Sequence, residues 1–235
     1  SDERFAKTLC PHCGKEAIRE TDVSDTFLDS AWYFMRYLVT DSDDLPFPSQ
    51  KFTSEGFKNR ARYLPVTMYI GGAEHSVLHL LYARFVTMVL HDLGYIGFEE
   101  PFARFYAHGL IIKDGAKMSK SKGNVINPDE YIKKFGADAV RCYLLFLGPF
   151  NQGGDFRDTG MEGMYKFTKR VWALFSGRKI SGDYALDSAK KMMHETIKGV
   201  TDDLEALRYN TGLAKLMTYY NFLVKQPQIS REEAT

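Results

Sequence analysis

The segment Lys117-Met118-Ser119-Lys120-Ser121-Lys122-Gly123-Asn124 places three lysines within six residues, with two hydroxyls between them. Gly115 and Gly123 flank it. Lysine ammonium groups are mobile point charges that suit phosphate; serine hydroxyls and backbone N–H groups add donors. Glycine permits loop movement and close approach of backbone to a ligand. Such a loop fits negative charge that develops on a departing pyrophosphate, although a plain solvated lysine loop has the same composition. A second candidate is Gly71-Gly72-Ala73-Glu74-His75, between a strand-like run and a helix-like run. In open α/β sheets ligands meet strand ends and helix N-termini at such junctions. Gly71 and Gly72 would let a nucleotide lie on the backbone, and Glu74 could accept hydrogen bonds from ribose hydroxyls. The competing reading is a tight turn with an acid in the first helical turn.

Other residues carry weaker signals. His75 and His79 stand four apart on one helix face, which is also metal-ligand spacing. Ser76, however, occupies the position where a zinc protease carries its general base, and no third ligand is evident nearby. Cys10-Pro11-His12-Cys13-Gly14 has the outline of a zinc knuckle. Cys10 and Cys13 would supply half of a four-ligand site, so the turn is either metal-free or completed elsewhere. Cys142 sits in an apolar stretch and reads as a core thiol. Phe27, Ser30 and Tyr33, spaced by three, share a helix face and form either a pocket wall with two polar tips or plain core.

The elements that must position these residues follow from periodicity and breakers. Residues 1–20 read as an irregular entry. Residues 25–39 have apolar and aromatic residues at helical spacing with Asp25 as a cap, and 41–56 read as a loop. Val66–Ile70, bounded by Pro65 and Gly71-Gly72, predicts a buried strand. Residues 74–93 predict a long buried helix ended by Gly94, and 105–112 a second strand. Asn127-Pro128-Asp129-Glu130 is a helix start: Asn caps, Pro suits the first turn, and Glu130 lies three residues after Asn127. Short helices to Phe135 and from Ala137 to Leu147 follow, and Pro149 with Gly153-Gly154 breaks the pattern. From Thr159 onward the reading is helical, over 159–176, 187–208 and 211–224. Strand–helix–strand followed by helices alone predicts an α/β fold followed by an α-helical bundle.

Composition narrows the class. Of 235 residues, 44% are hydrophobic and 26% charged, so the chain can bury a core and is not a disordered segment. Lys+Arg 31 against Asp+Glu 30 leaves +1, which by itself points to neither nucleic acid nor membrane. The balance is local: residues 113–134 hold six lysines against three acids, and 156–235 hold 13 basic against 10 acidic residues. Three cysteines exclude a disulfide scaffold and fit a reducing compartment, the cytoplasm. No apolar run nears the ~18 residues of a spanning helix. The charged start without Met suggests a piece of something longer.

With these motifs in place, residues 108–132, HGLIIKDGAKMSKSKGNVINPDEYI, resemble the signature loop of class I aminoacyl-tRNA synthetases. Two further runs, ETDVSDTFLDSAWYFMRY (20–37) and YIGGAEHSVLHLLYARF (69–85), are similar to leucyl-tRNA synthetases, as is Gly163-Met164-Tyr165-Lys166-Phe167. The likeness spans about residues 8–175; the last sixty residues share only helical character. It implies the C-terminal half of a Rossmann-like nucleotide-binding fold, followed by a helical anticodon-binding domain. The expected boundaries are 1–112 for the partial catalytic domain, 113–156 for the signature loop and connecting helices, and 157–235 for the start of the helical domain.

The resemblance also implies a reaction: leucine and ATP give leucyl-adenylate and pyrophosphate, and the leucyl group passes to tRNA-Leu. Lys117 and Lys120 would be catalytic at the ATP phosphates. Gly71, Gly72, Glu74, Met118, Ser119, Lys120 and Ser121 would bind ATP. Phe27, Ser30, Tyr33, His75 and His79 would line the leucine pocket. Mg2+ would assist, and a structural Zn2+ at Cys10 and Cys13 is conceivable. The chain departs from the family in lacking a His-x-Gly-His motif and the inserted proofreading domain. The expectation is therefore a fragment that is inactive alone and partners the missing N-terminal half of the same enzyme. A noncatalytic tRNA-binding module derived from a synthetase is the alternative, and a small zinc hydrolase on His75 and His79 a third reading.

Overall fold

The computed structural model describes residues 3–21, 27–49, 59–177 and 187–234. It is a mixed α/β structure divided into two compact units, Ser1–Tyr106 and Ala107–Thr235. Among the described residues no helix is long and apolar enough to cross a membrane.

The first unit opens with helix α1 (Glu3–Ala6) and a hairpin, β1 (Lys7–Leu9) against β2 (Glu16–Ile18), where an irregular entry was expected. The turn is closed by backbone bonds from Cys10 N–H to Lys15 O and from Gly14 N–H to Cys10 O, both at 2.8 Å. These local bonds pair two three-residue strands too short to leave a periodic trace.

The helix expected over 25–39 is instead broken. A 3-10 turn (Asp29–Ala31), α2 (Tyr33–Arg36) and a second 3-10 turn (Tyr37–Val39) follow one another. The break lies at Trp32, whose φ of −140° is not helical. The Asp25 cap falls outside the described residues, as do 50–56 of the expected loop. Ala31, Phe34, Met35 and Val39 are nonetheless buried, so the apolar spacing serves the core without one continuous helix.

Strand β3 spans Tyr69–Gly72, later than expected, and includes the two glycines rather than stopping before them. Ahead of it, Val66 lies parallel to Phe102, with Val66 N–H bonded to Pro101 O at 2.9 Å and Ala103 N–H to Val66 O at 2.8 Å. Tyr69 N–H continues the alignment to Arg104 O at 2.8 Å, and β3 shares a two-stranded sheet with β4 (Phe105–His108).

The long helix expected over 74–93 is a 3-10 turn (Ala73–Ser76) and then α3 (His79–Asp92). Leu78, at φ −113° and ψ −106°, separates them. Gly94 closes α3 as expected, its N–H bonded to His91 O at 2.8 Å. Phe34, Met35, Phe47, Ala83 and Ile96 form the unit's core.

In the second unit the strand expected over 105–112 is interrupted at Gly109, after which β5 runs Leu110–Lys113. β5 is the centre of a three-stranded sheet, antiparallel to β6 (Ala116–Lys117) and parallel to β7 (Gly153–Asp155). Strand β7 has no strand signature in its residues, because glycines in a strand reduce its propensity. Here they are required. A Cβ at Gly109 would collide with the Gln152–Gly153 peptide, and one at Gly153 with the Leu110 carbonyl. Asp114 and Gly115, at φ 54° and 72°, make the two-residue turn joining β5 to β6.

Helix α4 (Pro128–Phe135) starts as expected: Asn127 Oδ1 accepts from Asp129 N–H at 3.1 Å. Then come α5 (Ala137–Phe146), α6 (Asp158–Gly177), α7 (Asp187–Glu205), α8 (Tyr209–Val224) and α9 (Arg231–Ala234). Ala139, Val140, Tyr143, Phe156, Met161, Met164 and Phe167 form a core between α5, β7 and α6. Each large side chain buried there contributes roughly 1.5–3 kcal/mol. Tyr143 Oη is satisfied by the N-terminal residue before α6, accepting from Arg157 N–H at 2.7 Å and donating to Arg157 O at 2.9 Å. At the turn between α7 and α8, the buried Asp203 carboxylate accepts from Arg208 Nε at 3.0 Å and is paired with Lys215. The side-chain bond from Lys215 holds that carboxyl down at about 2.

Candidate functional site

The lysine segment is a compact loop in the second unit. β6 delivers Lys117, whose partner across the hairpin is Ile112. Met118 then turns inward against the core of Ala139, Val140, Tyr143, Phe156 and their neighbours. Lys120–Lys122 forms a 3-10 turn closed by Gly123 at φ 66°. Lys117, Lys120 and Lys122 are exposed, and none has an ion-pair partner among the described residues. The Ser119 and Ser121 hydroxyls lie 3.3 Å apart. The apolar residue in the run is thus the anchor, and the cations stand in solvent, free to meet a polyanion. Lys113 differs from these three. Its side chain is only 18% exposed, its Nζ lies 3.3 Å from Asp158 Oδ2, and it sits over the Phe156 ring at 5.5 Å.

In the first unit, Gly71 and Gly72 are buried at the end of β3, and Glu74 is exposed in the 3-10 turn that follows. A Cβ at Gly71 would come within 2.5 Å of the Tyr69 ring, and one at Gly72 would strike the Glu74 carboxylate, which folds back over that glycine. The glycines therefore keep the strand end flat beneath an acid. Glu74 also lies near enough to Tyr69 to add to the upward push on its phenol, which comes first from burial.

Phe27, Ser30, Tyr33, His75 and His79 are brought together in this unit. The Phe27 ring meets His75 edge-on with centroids 6.4 Å apart, His75 meets His79 at 6.3 Å, and Tyr33 lies over His79 at 5.6 Å. Ser30 Oγ donates to Phe27 O at 3.2 Å. Tyr69 and Phe102 complete the aromatic surround of His79, at 5.4 and 6.4 Å. Both His79 ring nitrogens and His75 Nδ1 are buried without a hydrogen-bond partner among the described residues. Burial, and then the neighbouring His75, lower the His79 pKa, so the ring is kept neutral. Two segments more than forty residues apart thus build one aromatic cluster with His79 in its wall.

Among the described residues no group of three His, Cys, Asp or Glu side chains is arranged to hold a metal ion. Cys10 and Cys13 lie in the β1–β2 turn as free thiols, and backbone N–H groups of His12 and Cys13 lower the Cys10 pKa. Two thiols alone do not complete a zinc site, and His75 with His79 has no third ligand among the described residues.

The sequence analysis assigns no individual role to Lys113, Asn124 or Asp158, all of which bond at the lysine loop. Asn124 Oδ1 accepts from Ser119 N–H at 2.9 Å, and Asp158 receives both Lys113 and the Tyr131 hydroxyl. An Asn beside a glycine after a turn is a frequent maker of side-chain-to-backbone bonds, and that was the available clue for Asn124.

Over residues 3–155 the chain matches the family of tRNA synthetases class I (I, L, M and V), and it belongs to that family. Among its relatives are the leucine–tRNA ligases of Thermotoga maritima, 46% identical over 233 residues, and of Dehalococcoides mccartyi strain 195, 46% identical over 228 residues. The alignments cover 94% and 95% of this chain but 27% of each ligase, so the chain spans about a quarter of the length of the relatives it matches. Its fold is similar to an Agrobacterium radiobacter LeuRS solved as a ternary complex with tRNA and LeuAMS. That match has a TM-score of 0.79 and 38% identity, and covers 95% of this chain and 29% of that one. A Mycobacterium tuberculosis methionyl-tRNA synthetase bound by methionyl-adenylate shares the fold at a TM-score of 0.61 and 18% identity, over 96% of this chain and 45% of that one.

Proposed function

We propose that this chain is the part of a leucine–tRNA ligase that holds the ATP phosphates, the ribose and much of the leucine pocket. It would correspond to the C-terminal half of a Rossmann-like catalytic domain with the first helices of the tRNA-contacting domain. The observation that carries the reading is the exposed set Lys117, Lys120 and Lys122, without ion-pair partners among the described residues, on a loop anchored by Met118. Likeness to leucine–tRNA ligases at 46% identity supports leucine as the amino acid.

In the first step a leucine carboxylate oxygen attacks the α-phosphorus of ATP. The bond from that phosphorus to the bridging oxygen breaks, and pyrophosphate leaves. Lys117 and Lys120 stabilise the charge that accumulates on the leaving group, with Ser119 and Ser121 as further donors. Gly71 and Gly72 let the nucleoside approach, and Glu74 accepts from its ribose hydroxyls. Phe27, Ser30, Tyr33, His75 and His79 form the leucine pocket, where a neutral His79 suits an apolar side chain. In the second step a hydroxyl at the 3′ end of tRNA-Leu takes the leucyl group and AMP leaves. Magnesium, carried on the triphosphate, would supply further charge neutralisation; the residues above need no protein metal site for their roles. The helices from Asp158 onward, with their basic excess, would face tRNA. The remaining part of the active site would come from the rest of the enzyme, in the cytoplasm.

ATP–pyrophosphate exchange by the full-length gene product, with leucine, isoleucine, valine and methionine supplied in parallel, tests this reading. Leucine-dependent exchange is expected. Exchange that prefers another amino acid, or tRNA binding without any exchange, removes it; the second result favours a noncatalytic tRNA-binding module.

A further inference from the structure

The lysine loop has a neck, and one side chain crosses it. Asn124 Oδ1 accepts from Ser119 N–H at 2.9 Å, while its Nδ2 donates to Lys117 O at 3.3 Å and to Lys113 O at 3.4 Å. One half-buried amide thus joins the loop's own turn to both arms of the β5–β6 hairpin. Its oxygen and its nitrogen are both used. The neck is fixed in turn to the body of the unit. Lys113 Nζ is paired with Asp158 Oδ2, and Asp158 Oδ1 accepts the Tyr131 hydroxyl at 2.5 Å. Asp158 is the first residue of α6, and Tyr131 lies on α4. A chain of bonds therefore runs from both helices through the side chain and backbone carbonyl of Lys113 to Asn124, and ends on the backbone N–H of Ser119.

The arrangement sorts four lysines of one short segment. Lys113 is engaged by Asp158 and covers Phe156, so it is withheld from solvent. Lys117, Lys120 and Lys122 are left exposed. Met118 is docked inward, and the exposed Lys117 and Lys120 flank in sequence the Ser119 backbone that Asn124 grips. Lysine is a flexible residue, and a flexible cation stabilises a transition state only when its backbone is held in place.

We infer that Asn124 is a positioning residue for adenylate formation: it sets the backbone from which Lys117 and Lys120 reach the triphosphate, and touches no reactant itself. The inference rests on the proposed function. Its test has one arm that depends on that function and one that does not. The independent arm is hydrogen exchange at the Ser119 amide, measured with and without ATP. The dependent arm is steady-state pyrophosphate exchange by the full-length gene product.

Asn124→Ala should abolish protection of the Ser119 amide and lower kcat by about 10- to 100-fold, with the leucine KM within about twofold of wild type. Asn124→Asp keeps an acceptor for Ser119 N–H but no donor for the two carbonyls. It should restore the amide protection and recover part of kcat. The inference is overturned if Asn124→Ala leaves Ser119 protected, if kcat stays within twofold of wild type while Lys120→Ala is crippled, or if the leucine KM rises as much as kcat falls. If Lys120→Ala also leaves kcat unchanged, the proposed function has failed instead, and Ser119 protection alone then decides whether Asn124 holds the loop.

Discussion

Replacing Lys120 by Ala removes an exposed charge. The side chain is exposed and has no ion-pair partner among the described residues, so folding stability should change by no more than about 0.5 kcal/mol. For a chain of 235 residues that corresponds to a Tm shift within about 2 °C. The transition state loses more. A preorganised donor aimed at developing charge is worth roughly 2.7–4 kcal/mol, or about 10²–10³ in rate. The assay is pre-steady-state formation of leucyl-adenylate by the full-length gene product, alongside leucine binding at equilibrium and a melting curve of the 235-residue chain. The rate should fall by two to three orders of magnitude while leucine affinity stays within about twofold. An equal loss of leucine affinity would mean that the charge acts in the ground state, contrary to its assigned role. A fall in Tm of many degrees would mean that Lys120 supports the fold, contrary to its exposure.

Three further outcomes are expected. Tyr143→Phe removes a hydroxyl that both accepts from and donates to Arg157 at the start of α6, and should cost about 1–3 kcal/mol, read as a drop of several degrees in Tm; an unchanged Tm would show the Arg157 groups to be satisfied by water. Asp203 has its pKa lowered to about 2 against an ordinary value of 3.8, so its stabilisation is present above the ordinary value and is lost as pH falls through about 2. Asp203→Asn should therefore melt lower than wild type at neutral pH, with the gap closing in acid; a gap independent of pH would contradict that. The lowered His79 pKa means that the unfolded chain takes up a proton first as pH falls through about 6.5, so stability should decline below that pH at up to about 1.4 kcal/mol per pH unit until His79 itself titrates. His79→Phe should flatten that part of the profile, and an unchanged slope would place the titration elsewhere.

The sequence made some of this legible and hid the rest for identifiable reasons. Helix α4 was readable because its start is chemical and local: Asn127 caps it and Pro128 follows. The meeting of Phe27, Ser30 and Tyr33 with His75 and His79 came from the likeness to leucyl-tRNA synthetases, since no local pattern joins residues so far apart. The helix over 25–39 was misread because apolar spacing reports which side chains are buried, and three short turns can bury them as well as one helix. Strand β7 was invisible because its glycines are set by the approach of Leu110 rather than by strand propensity. At the site, the lysines and glycines announced themselves by type. Asn124, Lys113 and Asp158 did not, because their roles lie in bonds to backbone and to residues up to 45 positions away.

The central claim is that the exposed lysine loop, residues 117–122, meets the phosphates of ATP. Hydrogen exchange of the full-length gene product, titrated with a non-hydrolysable leucyl-adenylate analogue and then with ATP, tests it directly. With the analogue, residues 69–79 should gain protection along a single binding curve with the Phe27–Tyr33 segment. With ATP, residues 117–124 should gain protection along a saturable binding curve. Unchanged exchange of residues 117–124 at saturating ATP would contradict the account.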